Sequence, residues 1–197
     1  NYRIYQLPYE KAGAISVTLR YDHSKLIAYT NNGQIFSYNQ VYDRFDLLID
    51  LKDSATDKNF EFYALLIDYT GDLWIALSTG LYKYHSGTVS FIDKVTPEKY
   101  SIAWYDPQHL IITRPEGIWL FGIQSRESKC LYENKTVSPF LASSLFYDKI
   151  QNKLWIGTLS NGLFCYSLTS STLSPILQSS FPGNRFLPSK RILRLPF

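Results

Sequence analysis

Residues 67–84 read IDYTGDLWIALSTGLYKY, and residues 147–166 read YDKIQNKLWIGTLSNGLFCY. Both segments run through an aspartate, a short polar turn, Leu-Trp-Ile, a second polar turn, Gly-Leu and a closing aromatic ring. Two weaker copies keep the same order: YDHSKLIAYTNNGQIFSY at 21–38 and YDPQHLIITRPEGIWLF at 105–121. A pattern that returns at a regular interval indicates a repeat architecture, so the chain is expected to fold as four similar units.

The interval between copies identifies the kind of unit. Successive aspartates are 46, 38 and 42 residues apart, and successive glycines 47, 37 and 45. A period of about 42 residues is typical of a four-stranded propeller blade. The apolar runs are five to seven residues long and lack helical periodicity, which disfavours a helical solenoid. The recurring positions are Asp22, Asp68, Asp106 and Asp148, followed by Gly33, Gly80, Gly117 and Gly162.

Each recurring residue type has a reason in backbone chemistry. An aspartate at a strand end can accept hydrogen bonds from the amides of the turn ahead, and Gly71 or Asn152 can adopt the positive φ that closes a short hairpin. The glycine before the third strand supplies a left-handed turn. Trp74 and Trp155 lie in strands that are apolar on both faces, so we expect them to pack between neighbouring sheets.

These features predict an all-β fold, a β-propeller of about four four-stranded antiparallel blades. The blades are expected at approximately 12–52, 58–96, 99–134 and 140–179. Residues 1–9 are predicted to be the outer strand of a preceding blade, and residues 189–197 the inner strand of a following one. Because propellers normally close their rings, such an arc predicts a partial propeller; the alternative is a small closed four-bladed ring.

Composition supports the all-β class and limits the kinds of binding partner that are expected. The chain is 45% hydrophobic and 16% aromatic, which suits pleated sheets. Its 20 basic and 17 acidic residues are spread along the chain, so nucleic acid is not expected as a partner. No long apolar run or signal peptide is evident, and no membrane contact by this segment is expected. The absence of methionine predicts that the segment belongs to a larger protein.

The sequence contains no recognisable catalytic or metal-binding pattern. His23, His85 and His109 lie in loop-like positions without a metal-ligand spacing, and the sequence lacks a GxSxG turn. No catalytic residue, metal or cofactor is therefore predicted, and the segment is not expected to be an enzyme. Asp68 and Asp72 flank a turn, but calcium loops need more oxygen ligands, so a hairpin role is favoured. Cys130 and Cys165 are expected to be unpaired.

The motif resembles the two-component regulator propeller repeat, whose consensus runs Asp, turn, Gly, Leu-Trp-Ile-Gly-Thr, Gly-Leu and an aromatic. The copy ending at Tyr166 matches nearly every position, and the one ending at Tyr84 departs mainly at Ala76 and Leu77. The other two copies lack the tryptophan. The resemblance implies the periplasmic sensor region of a hybrid two-component receptor, with an oligosaccharide ligand, further propeller blades, a second receptor chain in a homodimer, and a histidine kinase elsewhere in the protein.

In propellers the turns between second and third strands share one face with the connections that enter each blade. We predict ligand-binding positions in these turns because amide, hydroxyl and charged side chains can hydrogen-bond sugar hydroxyls. Arg114 and Glu116 are the preferred candidates, since a turn needs no charged pair. The candidates are Asn31, Asn32, Ser78, Arg114, Glu116, Ser160 and Asn161. Two other functions stay open: a protein-binding scaffold, and a glycan or antibiotic lyase.

Overall fold

The computed structural model describes residues 4–5, 7–8, 16–54, 59–95, 99–135, 141–159 and 161–176. The chain divides into two compact units, residues 1–97 and 98–197, and each unit contains two four-stranded sheets. All sheets are antiparallel meanders in which consecutive strands are neighbours. The prediction of an all-β chain of four-stranded propeller blades is therefore confirmed.

The first unit contains blades 1 and 2. Blade 1 consists of β1 (Val17–Asp22), β2 (Lys25–Thr30), β3 (Gln34–Asn39) and β4 (Arg44–Asp50), followed by one helical turn, α1 (Leu51–Ser54). Blade 2 consists of β5 (Phe62–Ile67), β6 (Leu73–Leu77), β7 (Gly80–His85) and β8 (Thr88–Asp93). The inner strands β1 and β5 lie side by side.

The second unit contains blades 3 and 4. Blade 3 consists of β9 (Ser101–Asp106), β10 (His109–Arg114), β11 (Gly117–Gly122) and β12 (Ser128–Glu133). Blade 4 consists of β13 (Ala142–Asp148), β14 (Lys153–Thr158), β15 (Leu163–Ser167) and β16 (Thr172–Pro175). Here β9 and β13 lie side by side.

Apolar packing between blades forms the core of each unit. In the first, Ile27 and Tyr29 of β2 pack in one cluster with Leu73 and Ile75 of β6. In the second, Ile111 packs with the corresponding strand of blade 4. Alternate residues of a strand point to opposite faces, so a middle strand that is apolar throughout contacts a layer on each side. On β6, Leu73 and Ile75 share the face that packs against blade 1.

The recurring aspartates and glycines act as predicted. In the hairpin between first and second strands, Asp22 accepts from the amide of His23, Asp106 from Gln108 and Asp148 from Ile150, at 2.7–3.0 Å. Asp68 accepts the amides of Thr70 and Asp72, both at 2.9 Å. The four glycines before the third strands all have positive φ; they are Gly33, Gly80, Gly117 and Gly162.

The predicted end strands are not tested. Ile4, Tyr5, Leu7 and Pro8 are the described members of residues 1–9, and none of these four lies in a strand. Residues 189–197 lie outside the described part of the chain, as do the first residues of the predicted blade 1 and the last of blade 4. That the blades belong to a larger propeller stays a prediction.

Candidate functional site

The turn after the second strand and the entry to the same blade lie at one end of each sheet. Asn31 N–H donates to the carbonyl of Ser16 at 3.2 Å in blade 1, and Ser78 N–H to that of Glu61 at 2.9 Å in blade 2. In blade 4 the amide of Leu159 donates to Leu141 at 3.1 Å. These bonds place the predicted binding turns beside the connections that enter the blades.

In the first unit, a residue just before β5 packs over the turn of blade 1. The ring of Phe60 lies directly over Gly33, which has φ +96°. A Cβ added to Gly33 would lie 2.5 Å from Phe60 Cζ, so the close approach requires glycine as much as the backbone conformation does. Phe60 is thereby held against the turn that contains Asn32.

A groove of about 620 Å³ opens at this end of the first unit. Its volume lies within the range of small-molecule sites. It brings together two predicted positions, Asn32 of blade 1 and Ser78 of blade 2, which are 46 positions apart in the chain. We call it the blade 1–2 groove. Its lining residues are Asn32, Lys52, Asn59, Phe60, Glu61, Tyr63 and Ser78.

Hydrogen bonds fix the polar groups of the groove. The hydroxyl of Ser78 accepts the amide of Glu61 at 2.9 Å, which leaves the hydroxyl proton available to a ligand oxygen. The hydroxyl of Thr30 donates to Oδ1 of Asn32, so the amino group is what Asn32 can offer as a donor. The groove therefore presents donors on both of its blade walls.

Tyr63 and Glu61 add an electrostatic feature. Burial raises the pKa of the Tyr63 phenol, and the nearby carboxylate of Glu61 raises it further. The phenol is thus protonated at neutral pH and can donate or accept. With Lys52 and Glu61 both on the lining, the groove contains one charge of each sign. This combination of hydroxyl, amide, charged and aromatic groups suits a polyhydroxylated ligand.

Asn31 has a structural role in this structure. Its side-chain Oδ1 accepts the amide of Ser16 at 3.0 Å while its own amide donates to the Ser16 carbonyl. This reciprocal pair ties the turn to the start of β1. Asn31 is not among the groove-lining residues.

The remaining predicted positions belong to the second unit. The guanidinium of Arg114 lies 5.0 Å from the centre of the Trp119 ring, and its terminal nitrogen is 3.4 Å from the hydroxyl of Ser128 on β12. The side chain therefore extends along its own sheet. Glu116 is exposed, and its carbonyl accepts the amide of Asn134 at 2.6 Å.

Two further predicted positions lie in the corresponding turn of blade 4. The amide of Asn161 donates to the hydroxyl of Thr158 at 2.9 Å. Ser160 lies outside the described residues. Whether any of the four second-unit positions contacts ligand stays a prediction.

Sequence reasoning missed five groove residues, all contributed by the connection between blades and the start of β5. They are Lys52, Asn59, Phe60, Glu61 and Tyr63. In propellers, the connection that enters a blade lies on the same face as the turns between second and third strands. This rule, applied to the segment that enters blade 2, would have indicated these residues as candidates.

The carboxylates and thiols singled out in the sequence can be located in the structure. The ammonium of Lys83 lies 2.9 Å from Asp72 and 3.5 Å from Asp68, so both carboxylates are paired with a lysine. Across the described ranges, no group of three or more His, Cys, Asp or Glu side chains could hold a metal. Cys130 and Cys165 are both free.

Comparisons with known proteins identify similar folds. No protein-family model and no curated protein matches the chain. Among solved structures, the extracellular domain of the putative hybrid two-component system BT4673 from B. thetaiotaomicron matches 80% of the chain at 17% identity and TM-score 0.54. A structure of that protein's extracellular domain described as a putative one-component system matches 64% at 19% identity and TM-score 0.50. The Mitotic Checkpoint Complex matches 83% at 12% identity and TM-score 0.59.

The chain spans only part of each of these structures. It corresponds to 20% and 17% of the two B. thetaiotaomicron chains and to 51% of the matched chain of the checkpoint complex. At these identities the comparisons show the fold alone. Among the helical residues that the structure describes, no segment has the length and apolar character needed to cross a membrane.

Proposed function

We propose that this chain is part of the extracytoplasmic sensor region of a two-component signalling receptor, and that it recognises an oligosaccharide in the blade 1–2 groove. The observation that carries the proposal is the groove itself, in which Asn32 and Ser78 from two blades line the same space as Phe60, Glu61 and Tyr63. Sugars are bound by such mixtures of hydrogen-bonding groups and aromatic rings. Two of the similar structures are extracellular domains of a putative signalling system, which supports the sensor assignment.

In this proposal, the steps of signalling that follow ligand binding take place in other parts of the receptor. Ligand binding takes place in the periplasm, and the signal passes through further blades and a second receptor chain to a histidine kinase. This chain recognises the ligand and performs no chemistry on it. A recognition role needs positioned donors and acceptors, and the hydrogen bonds at Ser78 and Asn32 position them.

The experiment is a calorimetric titration of the chain with a panel of purified plant and host oligosaccharides. For the glycan that binds, Ser78→Ala and Tyr63→Phe are expected to weaken affinity by about fivefold to tenfold each, since a lost neutral hydrogen bond costs about 1 kcal/mol. The matched controls are Ser174→Ala on β16 and Tyr69→Phe on the β5–β6 turn, both exposed positions outside the groove. Binding that persists unchanged in both groove variants would contradict the assignment.

Signalling is tested in the intact receptor. Addition of the same glycan is expected to change kinase autophosphorylation in the wild type and in the two controls. The response should require a higher glycan concentration in the Ser78→Ala receptor. Turnover of the glycan by the isolated chain would instead favour the enzyme alternative.

A further inference from the structure

A cavity of about 350 Å³ lies between blades 3 and 4 of the second unit. Tyr105, Leu120 and Leu131 line it from blade 3, and Asn152 and Leu168 line it from blade 4. Its volume falls at the lower end of the range of small-molecule sites. We call it the blade 3–4 cavity.

The blade 3–4 cavity lies at the end of blade 4 that is opposite the predicted binding turn. Asn152 belongs to the hairpin between β13 and β14, and Ser171, which also lines the cavity, belongs to the hairpin between β15 and β16. In an antiparallel meander these two hairpins share one end of the sheet, and the turn between the second and third strands lies at the other end. Asn161 is in that turn. The cavity is therefore separate from the sugar-binding position predicted in this blade.

In the first unit a lysine spans the corresponding position. The ammonium of Lys25, at the start of β2, donates to the carbonyl of Gly71 in blade 2 at 2.8 Å. Gly71 corresponds to Asn152, because each lies two residues before the leucine of a Leu-Trp-Ile strand. Lys25 corresponds to His109, because each is paired with the recurring aspartate of its blade. His109 instead contacts its own blade, with Nδ1 2.9 Å from Asp106, and the cavity lies beside Asn152.

Hydrogen bonds hold the walls of the cavity in place. The Tyr166 hydroxyl of blade 4 donates to the carbonyl of Leu131 in blade 3 at 2.7 Å, which joins the two walls. Oδ1 of Asn152 accepts the hydroxyl of Tyr147 at 2.8 Å, and its Nδ2 donates to Oγ1 of Thr169 at 3.1 Å. Tyr166 and Asn152 thus use their polar atoms within the protein, and the cavity is formed by side chains whose positions are fixed.

The lining also combines apolar surface with one positive charge. Tyr105, Leu120, Leu131 and Leu168 are partly buried and pack against the core of the second unit. Among the described residues that line the cavity, Lys129 is the one that carries a charge, and it is exposed. A carboxylate on an apolar body is complementary to this lining, because the charge can pair with the ammonium while the body covers the apolar surface.

We propose that the blade 3–4 cavity binds a small organic anion, a carboxylate carried on a single ring, with the carboxylate near Lys129 and the ring against the leucine side chains. A cavity at the lower end of the small-molecule range suits one substituted ring better than a chain of sugars. The ammonium selects the anion over a neutral analogue of the same shape. The proposal adds a second ligand to the chain and holds or fails independently of the blade 1–2 groove.

The test is an NMR titration of the isotope-labelled 197-residue chain with sodium benzoate. Benzamide, which is neutral, and acetate, which lacks the ring, are the matched probes. Benzoate is expected to shift the backbone amides of Leu131, Asn152 and Ser171 and to leave those of Asn32 and Ser78 in place. Benzamide is expected to bind about fivefold more weakly than benzoate, the upper value for an exposed ion pair.

Two lysine variants separate a local charge from net charge. Lys129→Gln is expected to weaken benzoate binding by about fivefold, for the same reason as benzamide. Lys94→Gln makes the same change in net charge at an exposed position of the first unit, and it is expected to leave benzoate binding unchanged.

The two cysteines provide an independent readout, because Cys130 lines the cavity and Cys165 does not. At a benzoate concentration ten times the dissociation constant, alkylation of Cys130 by iodoacetamide is expected to be about tenfold slower, since only the free protein reacts. Alkylation of Cys165 is expected to keep its rate.

The proposal is overturned if benzoate shifts none of the three cavity amides, or if Cys130 reacts equally fast at saturating benzoate. Equal affinity for benzoate and benzamide would overturn the choice of an anion, and equal affinity for benzoate and acetate the choice of a ring. An equal loss of affinity in Lys129→Gln and Lys94→Gln would also overturn it, because binding would then depend on net charge.

Discussion

The indole Nε1 of Trp74 donates a hydrogen bond of 3.2 Å to Oδ2 of Asp68, joining the two signature residues of the repeat within blade 2. Asp68 is 6% exposed and also accepts from the Thr70 hydroxyl at 2.6 Å. Lys83 lies over the Trp74 ring, 5.4 Å from its centre, and 3.5 Å from the same carboxylate. The aspartate of the motif therefore accepts hydrogen bonds from the turn and also from the buried indole of Trp74.

Removal of the Asp68 carboxylate should destabilise blade 2 strongly. Asp68→Ala leaves the Trp74 indole and two turn amides without their acceptor, and we expect a loss of about 2–3 kcal/mol in the free energy of unfolding. Asp148→Ala is the matched variant, because Asp148 accepts the turn amides of Ile150 and Gln151 near the surface; a loss of about 1 kcal/mol is expected there. Urea denaturation measures both. Equal losses would show that the indole bond adds nothing.

Stability should fall on acidification, partly through the same carboxylates. Burial by itself would raise the pKa of Asp68, but hydrogen bonds from Thr70, Asp72 and Trp74 together with the charge of Lys83 hold it below its usual value. The pKa of Asp72 is also lowered, since bonds from Lys83 and His85 outweigh burial. A lowered pKa contributes stability that is complete above the usual value near 4 and is lost as the pH falls through the folded-state value.

The check is the urea midpoint measured at steps from about pH 6 to about pH 3. Asp68→Asn should show a shallower decline than the wild type, because one of the linked carboxylates is gone. Some decline should remain, since the pKa of Asp106 is lowered as well by bonds from Gln108 and His109 that outweigh its burial. An identical slope in Asp68→Asn and wild type would contradict the linkage.

Gly33→Ala should cost more than its backbone conformation alone explains. Gly87 provides the control, since its φ of +87° resembles the +96° of Gly33 but no atom lies within 4 Å of a Cβ added there. Gly87→Ala therefore measures only the cost of placing a side chain on a left-handed backbone, about 1–2 kcal/mol. Gly33→Ala should add the displacement of Phe60 and so reduce both the melting temperature and glycan affinity. Similar melting temperatures for the two variants would show that Phe60 moves without cost.

Arg114→Ala tests the sequence-based choice of ligand contact. Recognition in the blade 1–2 groove predicts unchanged glycan affinity in the intact receptor, and in the isolated chain we expect a stability loss of about 0.5–1 kcal/mol from the contact with Trp119. Weaker glycan binding would instead show that the ligand also contacts Arg114. Calorimetry on the receptor and urea denaturation of the chain separate the two effects. Unchanged affinity together with reduced stability would limit Arg114 to the structural contact.

The sequence predicted those features that local chemistry determines. The aspartate turns, the positive-φ glycines and the boundaries of β6 follow from residues a few positions apart, so one chain was sufficient to locate them. The worn copies at 21–38 and 105–121 fold into the same meander, because Ile27 and Ile111 fill the position that tryptophan occupies in the clear copies.

The blade 1–2 groove could not be predicted in full from the sequence, because it is formed by contacts between residues that are far apart in the chain. Phe60 contacts Gly33 across 27 positions, and no local pattern in the sequence around Phe60 indicates that its ring lies over this turn. The one-turn helix α1 was likewise not predicted, since Leu51 is buried by packing between blades. Asn31 was predicted to bind ligand from its residue type, but its side chain holds the turn against the start of β1 instead.

The most direct test of the central claim is NMR mapping of the bound glycan on the isotope-labelled chain. Recognition in the blade 1–2 groove predicts that the backbone amides of Asn32, Glu61 and Ser78 shift progressively during the titration, while those of Asn152 and Tyr166 stay in place. Shifts confined to the second unit, with the groove amides unmoved at saturation, would contradict the account.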